Sequence, residues 1–539
     1  MICWPRQAVA CASASSRTRC FGYLWFNAIV TAVLFVLMAA NIAIAQGAVL
    51  GFNKFELATQ YTGRASGGDG SERYQKATIA MARKSLADAR EAGVRLFRIS
   101  ATGYAPSVAG QRGDLDLWVK EPPRYWAQMD LMFVDLDAAG VQIVPSFIWN
   151  AAQFPAMNGE TVRELISDAK SPSYQMAERY VTEFVERYKA RKTVLFYELT
   201  NELNLLVDLD MAGRCNRQSA PANMAALCKV KGNFTTDEMI GFTRRLAAAI
   251  RTADGSRQIS SGFSVPRAAA EHLRARPEWI NGTADFTPDS LAQFQRNIAD
   301  THAAVDIVSV HLYPTPSDAR FGSIDPTSTS LLQHAYEAAL KSGKPLFVGE
   351  FGDSVRSDAR PDAYMVRMID RIVELKVPYS AVWAWEFYLH TPYQTRETKD
   401  TAFSLEPGFT DELIQKIAQT NARLGSAPPK REANDTTPPR LVLTWPLECT
   451  QAKSLQGAHA VASDDSGQVK AVEFLVDGKL VVQVARPPYN AVINTQNLAA
   501  GEHVLKARAM DAVGNLAEAE VTLVVGAGQL ASCKRAFPQ

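Results

Sequence analysis

Two glutamates, each at the end of an apolar run, are the residues of this sequence best suited to chemistry. The run VLFYELT is followed by Asn201 and Glu202, and the run PLFVGEFG contains Glu350. Two carboxyl groups can divide acid and base work when one is protonated and the other ionised, and cleavage of a glycosidic bond requires such a pair. The two glutamates can act together only if the fold brings the ends of both runs to one place.

Eight apolar runs of this kind alternate with segments of helical periodicity between about residues 48 and 424. They are AVLGFN, VRLFRIS, VQIVPSFIW, TVLFYELT, QISSGFS, VDIVSVHLY, PLFVGEF and SAVWAWEFY. Mostly apolar runs are typical of parallel strands covered on both faces, and eight β-α units predict an α/β fold, a (β/α)8 TIM barrel over residues 46–424. Active-site groups of such barrels lie at the C-terminal ends of the strands, so Glu202 on strand four and Glu350 on strand seven are expected to meet.

The composition changes after the barrel. Residues 425–440 are rich in proline and small polar residues, which indicates a linker; their sequence is GSAPPKREANDTTPPR. Short alternating runs separated by turn signals such as Asp477-Gly478 then predict a small all-β immunoglobulin-like sandwich over residues 441–526, with a tail at 527–539. This part resembles the bacterial immunoglobulin-like domains of secreted hydrolases in TTPPR, FLVDG and ARAMDAVGN.

Residues 1–45 predict an export signal or a membrane anchor. Three arginines precede an apolar run that begins near Phe21, and Ala43-Ile44-Ala45 offers small residues at a cleavage spacing. The run is also long enough to span a bilayer uncleaved. Both alternatives place the protein outside the cytoplasm, either periplasmic or secreted, with or without attachment to the membrane.

Four cysteines follow this segment, and export predicts that they form disulfide bonds. Local pairing favours Cys215 with Cys228 and Cys449 with Cys533. No Cys-x-x-Cys motif is present and the seven histidines are scattered, so neither a metal site nor another cofactor is expected. With 57 Lys and Arg against 56 Asp and Glu, the chain also lacks the charge excess of a nucleic-acid-binding protein.

The barrel region resembles clan A of the retaining glycoside hydrolases, and most of all glycoside hydrolase family 5. The resemblance depends on Asn201-Glu202 after strand four, Glu350 in GEFG, and further matches on other strands: Arg98 in FRIS, His311 and Tyr313 in HLY, and Trp385 or Trp383 in WAWEF. It implies that Glu202 is the acid/base, that Glu350 is the nucleophile and that the other residues bind substrate.

One position departs from the family pattern. Where family 5 commonly has a histidine after strand three, this chain has Trp149 and Asn150. Either these residues contact a sugar in a neighbouring subsite, or Trp149 only packs. The departure leaves the choice of polysaccharide open.

The proposed roles make physical demands on the site. Glu202 needs a raised pKa to stay protonated, and the charge of Glu350 is expected to contribute to that rise. Glu350 must stay ionised, which Arg98 and the Tyr313 hydroxyl can favour. Retention of configuration requires the two carboxyl groups to lie about 5 to 5.5 Å apart.

The function that these observations favour is a retaining hydrolase of β-linked glucan or mannan, endo-acting, whose partner is a polysaccharide or oligosaccharide. Two alternatives stay open. One is an envelope hydrolase that trims the cell's own exopolysaccharide. The other is a non-catalytic carbohydrate-binding protein, which the presence of both carboxylates disfavours.

Overall fold

The computed structural model describes residues 48–62, 72–107, 113–217, 228, 230–280, 284–314, 320–321, 329–353, 363–387, 404–407, 410–424, 438–463, 469–485, 489–511 and 513–526. The predicted signal or anchor, most of the linker and the C-terminal tail lie outside these ranges. Within them, no helix has the length and apolar character needed to cross a membrane.

The first domain is a nearly closed barrel of eight parallel strands, as predicted. The strands are β1 (Val49–Asn53), β2 (Leu96–Ser100), β3 (Gln142–Ile148), β4 (Tyr197–Thr200), β5 (Ile259–Ser260), β6 (Val308–Leu312), β7 (Leu346–Phe351) and β8 (Tyr379–Val382). They are hydrogen-bonded in the order β5-β4-β3-β2-β1-β8-β7-β6. A single parallel bridge from Ser260 to Ile307 joins the two ends of this sheet.

Helices surround the strands in the described part of the barrel. They are α1 (Leu57–Thr62), α2 (Glu72–Glu91), α3 (Asp116–Lys120), α4 (Pro122–Ala139), α5 (Gln153–Asn158), α6 (Val162–Ser167), α7 (Pro172–Tyr188), α8 (Met211–Arg217), α9 (Thr236–Ala253), α10 (Ala270–Ala275), α11 (Leu291–Thr301), α12 (Thr329–Lys341), α13 (Ala363–Glu374) and α14 (Asp411–Arg423), with a 3-10 turn at Leu203–Leu205. Local sequence sets several of their ends. Helix α4 begins at a proline and stops at Gly140, whose φ of 67° suits glycine.

The two-residue period of the strands separates the barrel interior from the surrounding core. On β2, Phe97 and Ile99 pack against the helices, whereas Leu96 and Arg98 point into the barrel. The lower interior is apolar and is filled by Leu96, Val144, Phe196, Ile307, Phe347, Tyr379 and Ala381. Polar and charged side chains occupy the layer above, at the C-terminal ends of the strands, and this is the layer that forms the site.

The second domain consists of two β-sheets, in agreement with the predicted sandwich. Its strands are β9 (Arg440–Trp445), β10 (Thr450–Gln451), β11 (Leu455–Ser463), β12 (Val469–Val476), β13 (Lys479–Val484), β14 (Tyr489–Asn494), β15 (Gly501–Asp511) and β16 (Leu516–Val525). They form sheets in the orders β10-β16-β15-β12-β13 and β14-β11-β9. Asp477 and Gly478 both have positive φ and make the tight turn between β12 and β13.

A disulfide bond joins Cys215 to Cys228 in the segment between β4 and β5, which confirms that predicted pair. The same segment contains the short helix α8. Cys449 is disulfide-bonded. Its predicted partner, Cys533, lies outside the described residues, so that pairing stays a prediction.

Candidate active site

Arg98 is the centre of the polar layer inside the barrel. Its guanidinium donates to Glu198 at 2.7 Å, to Glu350 at 2.7 Å, to the Asn201 side-chain oxygen at 2.8 Å and to Asn53 at 3.0 Å. Arg98 is completely buried. Burial alone would lower its pKa, but the charges of Glu198 and Glu350 outweigh this effect and raise the pKa above its ordinary value. A buried cation therefore connects the ends of four strands.

Glu350 points into the site because β7 is irregular there. Val348 pairs with Val310, but Glu350 pairs with His311, so Gly349 is an extra residue in β7. Such a bulge re-aims the side chains that follow it. A Cβ atom on Gly349 would lie 2.7 Å from Nε2 of His311, so only glycine fits at this position.

The Glu350 carboxylate is held on both oxygens. Arg98 donates to Oε1, and the Tyr313 hydroxyl donates to Oε2 at 2.8 Å. Burial, followed by the charge of Glu350, raises the pKa of Tyr313 well above its ordinary value, so the phenol remains a donor. Only 7% of the Glu350 side chain is exposed. The structure thus brings Arg98 and Tyr313 together as donors to the one buried carboxylate of Glu350.

Glu202 follows β4 in a left-handed backbone conformation, with φ of 53°. Its amide donates to the Gly262 carbonyl at 2.8 Å, and the Asn201 amide donates to the Ile148 carbonyl at 3.0 Å. These bonds to two neighbouring strands stabilise a conformation that is unfavourable for a residue with a side chain. Of the Glu202 side chain, 32% is exposed, so this carboxyl is far more open to solvent than that of Glu350.

His311 lies between the two carboxylates. Its Nδ1 is 3.0 Å from Oε1 of Glu202 and 3.5 Å from Oε1 of Glu350. His311 and Tyr313 project from the same face of β6, as their two-residue spacing predicts. Side-chain atoms of Glu202, His311 and Glu350 all lie within 4.8 Å of one another, a separation that a metal ion could also bridge. The hydrogen bonds among these groups and to Arg98 and Tyr313 already account for the cluster.

The expected raised pKa of Glu202 is wrong. Burial raises the pKa, but the hydrogen bond and charge of His311, together with the charge of Arg98, outweigh burial and lower it. The expectation named the charge of Glu350 as one contribution and did not include His311. His311 and Arg98 have the larger effect on the pKa of Glu202.

Three aromatic rings form one wall of the site. Phe55 stacks on Trp383 with centroids 5.4 Å apart and on Trp149 with centroids 5.7 Å apart. The Arg98 guanidinium lies 4.5 Å from the centre of the Trp149 ring, and Trp149 is only 5% exposed. Trp149 therefore packs and supports Arg98, which was the second of its two predicted roles. Trp383 is partly exposed and can offer a face to a sugar.

Trp385 is not the sugar platform that was expected. It is fully buried, packs edge-on against Phe52 and donates from Nε1 to the Ser85 carbonyl at 3.2 Å. Strand β8 ends at Val382, so the two-residue alternation that would place Trp383 and Trp385 on one face does not continue.

Asn150 holds two rim loops together. Its amide nitrogen donates to the Tyr104 carbonyl at 3.0 Å, and its side-chain oxygen accepts from the Ala152 amide at 3.0 Å. Tyr104 belongs to the loop after β2 and Ala152 to the loop after β3. The polar groups of Asn150 thus serve the architecture of the rim.

Several residues of the site were not predicted from the sequence. Asn53 at the end of β1 accepts from Arg98 and donates to the Gly349 carbonyl at 2.9 Å, and Phe55 lies in the aromatic wall. Glu198 is the second carboxylate that accepts from Arg98. A polar residue at a strand end was the available signal for Asn53.

A buried charged cluster lies on the chain segments that carry Phe55 and Trp383 of the aromatic wall. The Lys54 ammonium donates to Glu56 at 2.7 Å and to the Glu386 carbonyl at 3.1 Å, which ties the end of β1 to the segment after β8. Lys84 of α2 lies 3.5 Å from the Glu386 carboxylate. Glu386 is 1% exposed. Phe55 and Trp383 therefore lie on two segments that the hydrogen bond from Lys54 to the Glu386 carbonyl joins.

A parallel barrel with two carboxylates at the ends of its fourth and seventh strands has the architecture and the site of a glycoside hydrolase. The family comparison agrees. Residues 160–388 match the cellulase family, glycosyl hydrolase family 5, and residues 458–507 match a bacterial Ig domain. The chain thus carries a family 5 catalytic domain, followed by a bacterial immunoglobulin-like domain, and the protein is a glycoside hydrolase.

Solved structures with a similar fold include several that act on mannosides. The endo-β-1,4-mannanase from Thermotoga petrophila is 13% identical, with 90% of this chain and 99% of that chain covered and a TM-score of 0.44. The exo-β-1,4-mannosidase Op5Man5 from Opitutaceae bacterium strain TAV5 is 18% identical, with 71% and 61% covered and a TM-score of 0.46. No curated protein matches the sequence. At these identities and TM-scores, neither structure bears on the substrate.

Proposed function

We propose that the protein cleaves β-linked polysaccharide, a glucan or a mannan, with retention of configuration. The observation that carries this proposal is the separation of the two carboxylates, since an oxygen of Glu202 lies within 4.8 Å of an oxygen of Glu350. Retaining enzymes place the two carboxyl groups about 5 to 5.5 Å apart, whereas inverting enzymes leave roughly 6.5 to 9.5 Å for a water molecule. The short separation favours direct attack by one carboxylate.

The surroundings of the two groups favour one assignment of roles. Glu350 is buried and accepts from Arg98 and Tyr313, which stabilises an ionised nucleophile. Glu202 is more exposed and faces the cleft, where it can reach the leaving oxygen and later a water molecule. The Asn201 side-chain oxygen accepts from Arg98, which turns its amide NH2 away from the guanidinium and leaves it to donate to a sugar hydroxyl.

In the first step, an oxygen of Glu350 bonds to the anomeric carbon as the glycosidic bond breaks, and the proton of Glu202 goes to the leaving oxygen. In the second step, Glu202 takes a proton from water, the water oxygen bonds to the anomeric carbon and the Glu350 carboxylate leaves. The first step needs a protonated Glu202. Because the pKa of Glu202 is lowered, we expect an acidic pH optimum for kcat/KM.

Alanine variants of the two glutamates test the roles on an activated aryl β-glycoside. Glu202→Ala should retain first-step turnover because a good leaving group needs no acid, and added azide should give a β-glycosyl azide. Glu350→Ala should lose activity by several orders of magnitude, with azide restoring cleavage to an α-glycosyl azide. Glu186→Ala, at an exposed position on α7, is the control and should match the wild type.

Two results would refute the retaining proposal. Proton NMR of the wild-type reaction that shows the α-anomer forming first from a β-linked substrate would mean inversion. Wild-type activity in Glu350→Ala would show that Glu350 is not the nucleophile.

Endo action and the choice between glucan and mannan are part of the same proposal. Incubation with β-glucans, mannans and xylans, followed by product sizing, tests both. Products of several lengths at early times indicate endo action, and release of one short product indicates exo action. Cleavage of xylan alone would reject both proposed substrates.

We further propose that the enzyme works outside the cytoplasm. The Cys215–Cys228 disulfide supports this location, because disulfide bonds persist in oxidising compartments. Fractionation of expressing cells, with N-terminal sequencing of the product, tests it. A product beginning near Gln46 indicates cleavage, an intact N-terminus in the membrane fraction indicates an anchor, and a cytoplasmic product would contradict export.

A further inference from the structure

Glu386 is a buried carboxylate to which the catalytic mechanism assigns no role. It lies three residues after Trp383 in the segment that follows β8, and it is 1% exposed. Its backbone has a φ of 44°, a left-handed conformation that is unfavourable for a residue with a side chain. A buried charge and a strained backbone both persist only where the surrounding contacts compensate for them. The contacts of Glu386 must therefore be strong ones.

The side chain of Glu386 is bound to helix α2. The Ser85 hydroxyl donates to Oε2 at 2.5 Å, and the Lys84 ammonium lies 3.5 Å from Oε1. Burial raises the pKa of the Asp88 carboxyl well above its ordinary value, and the charge of Glu386 adds to this rise, so Asp88 acts as a third donor. Burial alone would also raise the pKa of Glu386, but the charge of Lys84 and the hydrogen bond from Asp88 lower it. Glu386 is thus an ionised carboxylate held by three side chains of one helix.

The main chain of Glu386 is bound to two other parts of the barrel. Its amide donates to the Leu405 carbonyl at 2.9 Å, and its carbonyl accepts from the Lys54 ammonium at 3.1 Å. Lys54 is itself fully buried and lies directly after β1. Glu386 therefore joins α2, the end of β1 and the segment at residues 404–407.

Aromatic rings lie directly beside these contacts in the chain. Phe387 follows Glu386, and its ring packs against Phe55 at 5.5 Å and against Trp383 at 6.0 Å between centroids. Phe55 follows Lys54 and stacks on Trp383. Both rings that contact Trp383 from this side thus belong to residues next to the bond between Lys54 and Glu386. The orientation of the partly exposed Trp383 ring therefore depends on where Glu386 is held.

We propose that Glu386 is a positioning residue, which orients the Trp383 ring so that its free face stacks on a sugar of the substrate. Glu386 does not touch the sugar and acts only through Trp383 and Phe387. A ring that is held in its binding orientation before substrate arrives loses little freedom when the sugar stacks on it. The inference rests on the proposed function, because the sugar is a unit of the β-linked chain that Glu202 and Glu350 cleave.

Glu386→Gln tests this role in the whole protein. The glutamine oxygen can still accept from Ser85, but the charge that faces Lys84 is lost. KM for the polysaccharide that the wild type cleaves should rise about two- to tenfold, the value of one aromatic stacking contact, with kcat within about twofold. In a Trp383→Ala background the same substitution should change KM less than about twofold, because the ring through which Glu386 acts is absent.

Asp254→Asn is the matched control. Asp254 is also buried and accepts from Arg257 and from the Tyr197 hydroxyl, but it lies before β5, at the opposite end of the barrel. This variant should lose melting temperature to a similar extent and keep the wild-type KM. Labelling with 5-fluorotryptophan observes the ring itself. The fluorine resonance that disappears in Trp383→Ala should shift in Glu386→Gln and stay in place in Asp254→Asn.

The inference is overturned by a wild-type KM in Glu386→Gln, by the same rise in the Trp383→Ala background, by an equal rise in Asp254→Asn, or by an unmoved Trp383 resonance. Ser85→Ala removes one donor and keeps every charge, so it should give smaller changes in the same direction, and it replaces Glu386→Gln if that variant does not fold. If the wild type cleaves neither glucan nor mannan, the proposed function fails, and the fluorine spectra still decide whether Glu386 positions the ring.

Discussion

Replacement of Arg98 by lysine separates the effect of charge from that of geometry in the site. Arginine makes four hydrogen bonds here from three nitrogens, to Glu198, Glu350, Asn201 and Asn53. A lysine ammonium keeps the positive charge but donates from one atom, so it cannot reach all four acceptors. At least two of the four bonds should be lost.

The magnitude follows from the number of bonds lost. A hydrogen bond to a charged group contributes about 1.5–3 kcal/mol, and one between a charged donor and an amide lies near the lower end of that range. Loss of one carboxylate bond and one amide bond therefore removes about 3–4.5 kcal/mol. If this loss falls on the positioning of the nucleophile, kcat/KM decreases about a hundred- to two-thousandfold, at about 1.4 kcal/mol for each factor of ten.

Arg257 provides a matched control. It is also largely buried, and it donates to the Val194 carbonyl at 2.9 Å and to Asp254 at 2.8 Å, but it lies just before β5, at the opposite end of the barrel. Arg257→Lys should lose stability to a similar extent and keep kcat/KM within about twofold of the wild type. Thermal unfolding and initial rates on an aryl glycoside measure both quantities for the two variants.

The reasoning is refuted if Arg98→Lys retains wild-type kcat/KM, since a point charge would then suffice. It is also refuted if Arg257→Lys loses as much activity as Arg98→Lys, since the loss would then reflect general destabilisation. We expect the melting temperatures of Arg98→Lys and Arg257→Lys to fall by similar amounts, and kcat/KM to fall strongly in Arg98→Lys alone.

Three further outcomes are expected. His311→Asn should move the alkaline limb of the kcat/KM profile to higher pH, because His311 helps to lower the pKa of Glu202; an unmoved limb would show that another group sets it. Trp383→Ala should raise KM with little change in melting temperature, whereas Trp385→Ala should lower stability by about 3–5 kcal/mol, measured by urea unfolding. Burial lowers the pKa of His302 from 6.5 to about 4, so its neutral ring stabilises the fold fully above pH 6.5 and this contribution is lost as the pH falls toward 4. His302→Gln should flatten the fall in melting temperature over that interval.

The barrel and much of the site could be predicted because they depend on local patterns. Eight apolar runs indicated eight strands, and the two-residue period placed His311 and Tyr313 on one face. The ends of regular strands indicated the positions of Arg98 and Glu202. Each of these inferences holds as long as the backbone keeps its regular alternation.

The remaining features depend on departures from that alternation. The extra residue at Gly349 turns Glu350 into the site, and the end of β8 at Val382 sends Trp385 into the core while Trp383 stays at the wall. Bulges and strand ends arise from contacts with neighbouring strands, which are distant in the sequence. The runs of apolar residues therefore do not predict bulges or strand ends.

The electrostatics of the site are likewise a property of the assembled barrel. The types and order of the strand-end residues along the chain were enough to nominate Glu202 and Glu350 and the chemistry of a carboxylate pair. Only the structure shows that His311 lies 3.0 Å from Glu202 and lowers its pKa. Only the structure shows that Arg98 donates to Glu198, Glu350 and two asparagines. Charge interactions depend on distance and burial, and folding alone brings residues more than a hundred positions apart within hydrogen-bonding reach.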